Sequence, residues 1–294
     1  MPRPTILLTG AGGQLGFELA RSLSNHGAVI ALDRAALDLA DADAIVAAVR
    51  QATPALIVNA AAYTAVDQAE SESAVAFAVN ARAPGILAEA AKQQDAVLIH
   101  YSTDYVFDGR RTTPYEEDAA ANPLNVYGES KLEGERAIEQ SGAHALVFRT
   151  GWVYGARGRN FLLTMLRLAQ QRDELRIVAD QSGTPNWCRT LSEATAATLA
   201  HGIPWLAERS GLYHMASAGA TTWHGFAKAI IGDAPRPLVV PITTSEYPTP
   251  ARRPAYGVLS ARKFEATFAY KMPDWTSELA ACRSGMLAES RSGD

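Results

Sequence analysis

The chain is poor in cysteine. Cys188 and Cys282 stand far apart and in no C-x-x-C pattern. Neither a disulfide framework nor a thiolate metal site is expected, and a reducing cytoplasm is the default location. There is no run of about 18 apolar residues, which excludes a membrane-spanning helix. No basic stretch leads into a long apolar run at the N-terminus, so no secretion signal is expected. Positive charge is not in excess: 27 Lys and Arg against 31 Asp and Glu leave a net charge of −4. No basic stripe suits a nucleic-acid backbone, so nucleic acid is not an expected partner. An anionic ligand must be held by local arginines and helix ends. The six histidines are scattered and form no H-x-x-x-H or E-x-x-H pair, so no protein-built metal site is expected.

What is present is an ordinary globular composition, 48% hydrophobic and 20% charged over 294 residues. That is enough for one large domain or two unequal ones. Short apolar runs at 5–9, 28–33, 55–61, 96–102 and 145–150 alternate with helical patterns at 14–23, 41–51, 73–93 and 126–140. Strict alternation of this kind predicts a parallel sheet covered on both faces. Right-handed crossovers make it a doubly wound, Rossmann-like α/β sheet with its ligand crevice at the carboxyl ends of the strands. After Tyr154 the texture changes. A polar loop (155–160) leads to a helix at 161–171, a strand at 175–178, a helix at 190–201 and a strand at 212–216. The stretch 234–254 holds six prolines and reads as a capping surface rather than a core element. The expected division is a dinucleotide-binding domain at 1–154 plus returning segments of about 180–217. A smaller C-terminal substrate-binding domain takes about 155–179 and 218–294. Residues 289–294 read as a frayed tail.

Three features carry chemistry. The first is Gly10-Ala11-Gly12-Gly13-Gln14-Leu15-Gly16, placed between the first strand and the first helix. Glycines there let bare backbone approach a phosphate, and the helix N-terminus offers N–H groups and partial positive charge. The same three spaced glycines would also serve a plain tight turn. Asp33 ends the second strand, 17 positions after Gly16. It suits an adenosine ribose and NAD, whereas Arg34 beside it suits a 2′-phosphate, so NADH and NADPH both remain open. The second feature is Tyr127 and Lys131, the one Tyr-x-x-x-Lys in a chain with ten tyrosines. Spaced by four, they share a helix face. A lysine ammonium beside the phenol would lower its pKa from near 10 and fit it for proton transfer. The alternative is a surface tyrosine beside a solvated lysine. The third feature is the strand end Ser102-Thr103, where a hydroxyl can donate to a carbonyl oxygen and polarise it.

In that order and spacing, the chain resembles the extended short-chain dehydrogenase/reductases, and among them the dTDP-4-dehydrorhamnose reductase family. The stretches that carry the likeness are GGQLG (12–16), VNAAAYTAVDQAE (58–70), HYSTDYVFDG (100–109), PLNVYGESKLEGE (123–135), FRTGWVYG (148–155), TMLRLA (164–169), GLYHMASAGATTWHGFA (211–227) and YPTPARRP (247–254). The resemblance implies NAD(P)H-dependent reduction of the C4 keto group of dTDP-4-dehydro-L-rhamnose, with the dTDP-linked 4-keto-6-deoxy sugar as partner. It implies Gly13, Gln14 and Leu15 at the pyrophosphate, Asp33 at the adenosine ribose and Asp38 and Leu39 near the adenine. Ala60, Ala61 and Ala62 would pass beneath the cofactor. Tyr127 would be the proton donor, Lys131 would hold the nicotinamide ribose, and Thr103 would hydrogen-bond the keto oxygen. Thr64, Val66, Asp104, Tyr105 and Trp152 would shape the sugar pocket, with Arg252 and Arg253 as candidates for the substrate diphosphate. Some family members hold Mg2+ at a homodimer interface through glutamates. Glu18 matches one such position, but Arg189 stands where a second glutamate is expected. No metal ligand is therefore assigned, and an Arg189–Glu18 ion pair is the alternative. Rival readings are an epimerase or dehydratase with bound NAD, and a non-catalytic cofactor-binding regulatory subunit. The intact Tyr127, Lys131 and Thr103 argue against the last.

Overall fold

The computed structural model describes residues 3–233 and 235–291. Five strands occupy the N-terminal half: β1 (Thr5–Thr9), β2 (Ala28–Leu32), β3 (Leu56–Asn59), β4 (Val97–Thr103) and β5 (Ala145–Thr150). Then follow β6 (Val153–Tyr154), β7 (Glu174–Val178), β8 (Ser182–Gly183), β9 (Asn186–Trp187), β10 (Gly211–His214), β11 (Thr221–Thr222) and β12 (Leu238–Ile242). One six-stranded sheet runs in the order β10-β5-β4-β3-β1-β2, parallel throughout. The chain leaves β1 toward β2 on one side and returns to β3 on the other. That reversal opens the crevice at the carboxyl ends of β1 and β3.

The two-residue period of the strands sorts the core into two layers. Ile6 and Leu8 face one side with Val58, Ile99 and Phe148. There they meet Leu19 and Leu23 of helix Gln14–Leu23 and Leu191 of helix Cys188–Leu199. Leu7, Ile57, Leu98 and Val147 face the other side, against Ile45 and Val49 of helix Ala42–Ala52, Leu87 of helix Ala83–Gln93 and Ile138 of helix Val126–Ser141. Such two-sided burial is why β3, β4 and β5 read as unbroken apolar runs. A third cluster lies apart from the sheet and joins Tyr154, Leu162, Met165, Leu175, Phe226 and Leu279. Helix Arg262–Phe268, late in the chain, sends Phe264 and Phe268 back into the first layer against Phe148.

Three departures from the sequence reading have physical reasons. Helix 73–93 is interrupted by a π-turn at Ala78–Arg82. Pro84 has no N–H to give the carbonyl four residues back, and a wider turn absorbs the missing bond. The proline-rich stretch does contain a core-linked element: β12 pairs in parallel with β7 along its whole length, and Ile242 is buried. Pairing with a distant strand overrides local turn composition. Helix Trp275–Arg291 runs into the segment expected to fray; residues 292–294, like Ala234, lie outside the described residues. No helix among the described residues is long and apolar enough to cross a membrane.

Candidate active site

The crevice begins at the glycine turn. Gly10 has φ +75°, and a Cβ there would lie 2.6 Å from the Ala61 nitrogen. The turn therefore packs its bare backbone onto the Ala60–Ala61 segment that follows β3. Gly16 is fixed by the same packing, since a Cβ on it would lie 2.0 Å from the Gly10 oxygen. Gly12 and Gly13 are exposed, and Gly13 caps helix Gln14–Leu23 with no side chain bonding the first N–H groups. Two glycines thus build the turn and two leave an open helix N-terminus, a cradle that fits a pyrophosphate. Asp33 is exposed opposite Gly12, whose Cβ would lie 3.5 Å from the Asp33 Cβ. Its Oδ1 accepts from the Ala35 and Ala36 amides, both at 3.0 Å, which leaves Oδ2 for a ligand. Arg34 beside it is exposed. Asp38 is exposed, while the Leu39 side chain lies in the core with Ile45 and Val49. Gln14 and Leu15 are half-buried. Gln14 Oε1 accepts from Asn160 Nδ2 at 2.7 Å, which ties the polar loop 155–160 to the cradle.

Tyr127 lies in the first turn of helix Val126–Ser141. Asn125 caps that helix through the Gly128 amide at 2.8 Å, and its Nδ2 donates to the Arg252 carbonyl at 2.7 Å. A Cβ on Gly128 would lie 2.2 Å from the Tyr105 oxygen, so this helix start sits directly on the turn after β4. The contact brings Tyr127 near Thr103, whose hydroxyl favours the phenolate, and against Tyr105, whose ring meets it edge-on at 5.6 Å. Burial pushes the Tyr127 phenol up to about 12, and the Thr103 hydroxyl opposes that rise. Lys131 Nζ does not point at the phenol. It bonds the Tyr101 carbonyl at 2.6 Å and His100 Nε2 at 3.1 Å. Burial brings the Lys131 ammonium down to about 8. The lysine charge expected to draw Tyr127 toward neutral pH is directed elsewhere: the strand backbone holds the lysine, and desolvation governs the tyrosine.

Asp104 is the other buried charge near Thr103. Thr103 Oγ1 donates to its Oδ1 at 3.2 Å, and burial raises its carboxyl to about 7. Glycines enclose it, since a Cβ on Gly151 or Gly257 would lie 2.5 Å from one of its oxygens. Trp152 adopts φ 47° and is clamped between Gly183 and Trp223. Its ring stacks on the Trp223 ring at 3.5 Å, and a Gly183 Cβ would lie 2.4 Å from its Cε2. Val66 and Ala62 are half-buried and Thr64 is exposed, all on the segment after β3. The two arginines part company. Arg252 is exposed. Arg253 is engaged by Asp67, with Nη2–Oδ2 at 2.8 Å and Nη1–Oδ1 at 3.0 Å, and holds that carboxyl below the usual range. It also bonds Thr249 and the Ala251 carbonyl at 3.1 Å, which makes it a brace of the pocket wall.

The Glu18 position does not fit a cation. Arg189 Nε stands 3.2 Å from Glu18 Oε2 and Arg21 Nη1 3.6 Å from the same oxygen. Two guanidiniums at the carboxylate repel a divalent ion. Sequence reasoning missed the residues that set these geometries: Asn59 and His100 behind Lys131, Asp67 facing Arg253, Gly257 against Asp104. The glycine packing leaves no local pattern. His100 stood inside the quoted motif 100–109, but a lone histidine on a strand carries no sign of its partner.

The crevice at the strand-order reversal, with Tyr127 meeting Thr103 beside it, defines the class of the molecule: a short-chain dehydrogenase/reductase. More narrowly, the chain belongs to the family described as the RmlD substrate binding domain, whose model matches residues 4–287. It is 49% identical to a dTDP-4-dehydrorhamnose reductase of Burkholderia thailandensis, with 97% of this chain and 99% of the relative covered. It is 43% identical to the enzyme of that name from Escherichia coli K12, with 92% and 94% covered. Among solved structures it resembles the dTDP-4-dehydrorhamnose reductase of Bacillus anthracis in complex with NADP. There the TM-score is 0.90 and the identity 33%, over 97% of this chain and all of the other. A Thermus thermophilus UDP-glucose 4-epimerase, 20% identical at a TM-score of 0.79, shares the fold.

Proposed function

We propose that this chain reduces the C4 keto group of dTDP-4-dehydro-L-rhamnose to the alcohol of dTDP-L-rhamnose with NADPH or NADH. The observation that carries the reading is the contact of Tyr127 with Thr103 at the end of β4, beside a glycine cradle suited to a dinucleotide. The relatives' shared name and the NADP in one of them support the substrate and cofactor class.

The dinucleotide, when bound, supplies the hydride that reaches C4 of the sugar. Gly13, Gln14 and Leu15 bind its pyrophosphate, Asp33 and Arg34 meet the adenosine end, and Ala60, Ala61 and Ala62 lie beneath it. Lys131 serves the nicotinamide ribose. Thr103 turns its one hydroxyl proton from Asp104 Oδ1 to the keto oxygen and polarises it. Tyr127 keeps its proton in the buried site until charge develops on that oxygen, and then gives it up there, since an alkoxide is far more basic than a phenolate. Asp104, Tyr105, Trp152, Thr64 and Val66 wall the sugar. Arg252 is the free guanidinium for the diphosphate, and Arg253 braces the wall through Asp67. The capping segments, about 155–179 and 218–294, form the substrate-binding part over the dinucleotide-binding part. A cytoplasmic setting agrees with Cys188 and Cys282 both being buried and outside any disulfide.

The test is a panel of 4-keto-6-deoxy nucleotide sugars offered to the purified protein with each cofactor. The reading expects stoichiometric cofactor oxidation with the dTDP sugar. Conversion with no net oxidation would favour an epimerase or dehydratase, and no conversion a regulatory subunit.

A further inference from the structure

Behind Lys131 runs a line of buried side chains that the mechanism above does not use. Thr9 Oγ1, at the end of β1, donates to Asn59 Oδ1 at 2.6 Å. The Ala61 amide donates to the same oxygen at 3.2 Å. A backbone N–H cannot reverse its role, so Asn59 is held with its Nδ2 donor toward His100 Nδ1, 3.0 Å away. Nδ1 must then carry the lone pair, which puts the ring proton on Nε2. Nε2 faces Lys131 Nζ at 3.1 Å. An ammonium has three N–H groups and no lone pair, so donor would face donor. A neutral amine accepts the Nε2 proton and still donates to the Tyr101 carbonyl at 2.6 Å. Thr9, Asn59, His100 and Lys131 are each at most 1% exposed, so no water mends a reversed bond.

One carboxylate, Glu135, favours the Lys131 ammonium from a distance, against the larger effect of burial, and its oxygens are engaged by other groups. On its own helix, Glu135 is held by Arg149 of β5 through Nε–Oε1 at 2.9 Å and Nη2–Oε2 at 2.6 Å, and by Ser102 of β4. Tyr127, one turn before, is protonated, and Asp104 lies on the Thr103 side of it. From β4 comes His100, kept neutral chiefly by burial; from β3 comes Asn59, which is uncharged.

We propose that Asn59 and His100 are positioning residues for Lys131: they fix the Nε2–H tautomer, so that Lys131 is either a neutral amine tied to His100 or an ammonium released from it toward Tyr127 and the cofactor ribose. The link to turnover rests on the reductase reading; the tautomer does not. The lysine is thus a two-state group rather than a permanent charge, in keeping with its lowered proton affinity.

The variant Asn59→Asp keeps an acceptor for Thr9 and Ala61 but turns an acceptor toward His100 as well. The ring proton then moves to Nδ1, and Nε2 accepts from the ammonium. The Lys131-linked inflection in the pH profile of kcat, expected near 8, should rise by a full pH unit or more. An inflection that stays in place would overturn the proposal. Imidazole 15N spectra of the unaltered protein give a readout free of activity. The His100 resonances, assigned by their change in Asn59→Asp and their loss in His100→Asn, should report a neutral ring with a bare Nδ1. A protonated Nδ1 or an imidazolium at pH 7 would overturn the proposal. A bare Nδ1 in a protein that turns over no keto sugar would count against the reductase reading and leave the tautomer lock standing.

Discussion

The two walls of the crevice are built on different terms. On the sheet side, main chain and short spacing place the groups: Gly10 lies on Ala61, Thr103 ends a strand, and Lys131 follows Tyr127 by one helical turn. On the cap side, the groups are placed by side chains far apart in sequence. Arg253 reaches Asp67 across 186 positions, and Gly257 closes on Asp104. In the function proposed above, the sheet side carries the proton and cofactor chemistry and the cap side the choice of sugar. Damage to one wall should leave the other's function measurable.

The largest effect belongs to the sheet side. Tyr127→Phe keeps the ring and its contact with Tyr105 but removes the proton. We expect kcat to fall by at least about 100-fold with cofactor affinity unchanged; near-normal turnover would remove Tyr127 from the chemistry. Thr103→Val should lower kcat by about 10- to 1000-fold, because one polarising donor is deleted. Unchanged kinetics would make Thr103 a strand-end residue only. On the cap side, Gly257→Ala pushes a Cβ against the Asp104 carboxyl. The sugar KM should rise about tenfold while cofactor affinity holds, on the scale of a misfitted pocket contact. Loss of cofactor binding instead would erase the distinction between the walls. The smallest effect is expected from chelation. With Glu18 held between Arg189 and Arg21, EDTA should change neither turnover nor the mass seen by light scattering. Inactivation reversed by magnesium would mean that other carboxylates build a metal site.

The same contrast decides how much the sequence discloses. β1, β3, β4 and β5 are legible because both faces of each strand are buried, which leaves continuous apolar runs such as ALVFRT. The glycine turn and the Tyr127–Lys131 pair are legible because their spacing is local. The Glu18–Arg189 ion pair, 171 positions apart, was within reach through the family pattern, not through spacing. β12 was not legible, because its strand character comes from β7 and its prolines signal a turn. Nor was the direction of Lys131. It depends on His100 and Asn59 meeting across adjacent strands, and the loss of its expected pairing with Tyr127 follows from that contact. Tyr127 itself was placed correctly on the helix, but its proton affinity is set by burial, which no spacing reveals.

Deuterium transfer tests the central claim most directly. The purified protein is given dTDP-4-dehydro-L-rhamnose and NADPH carrying deuterium on the transferable face of its nicotinamide C4. Product is read by mass and by NMR at the sugar C4. The account predicts one deuterium at that carbon for each NADPH oxidised, and no transfer from Tyr127→Phe above about one hundredth of the normal rate. Product free of deuterium, or sugar converted while NADPH stays intact, would contradict it.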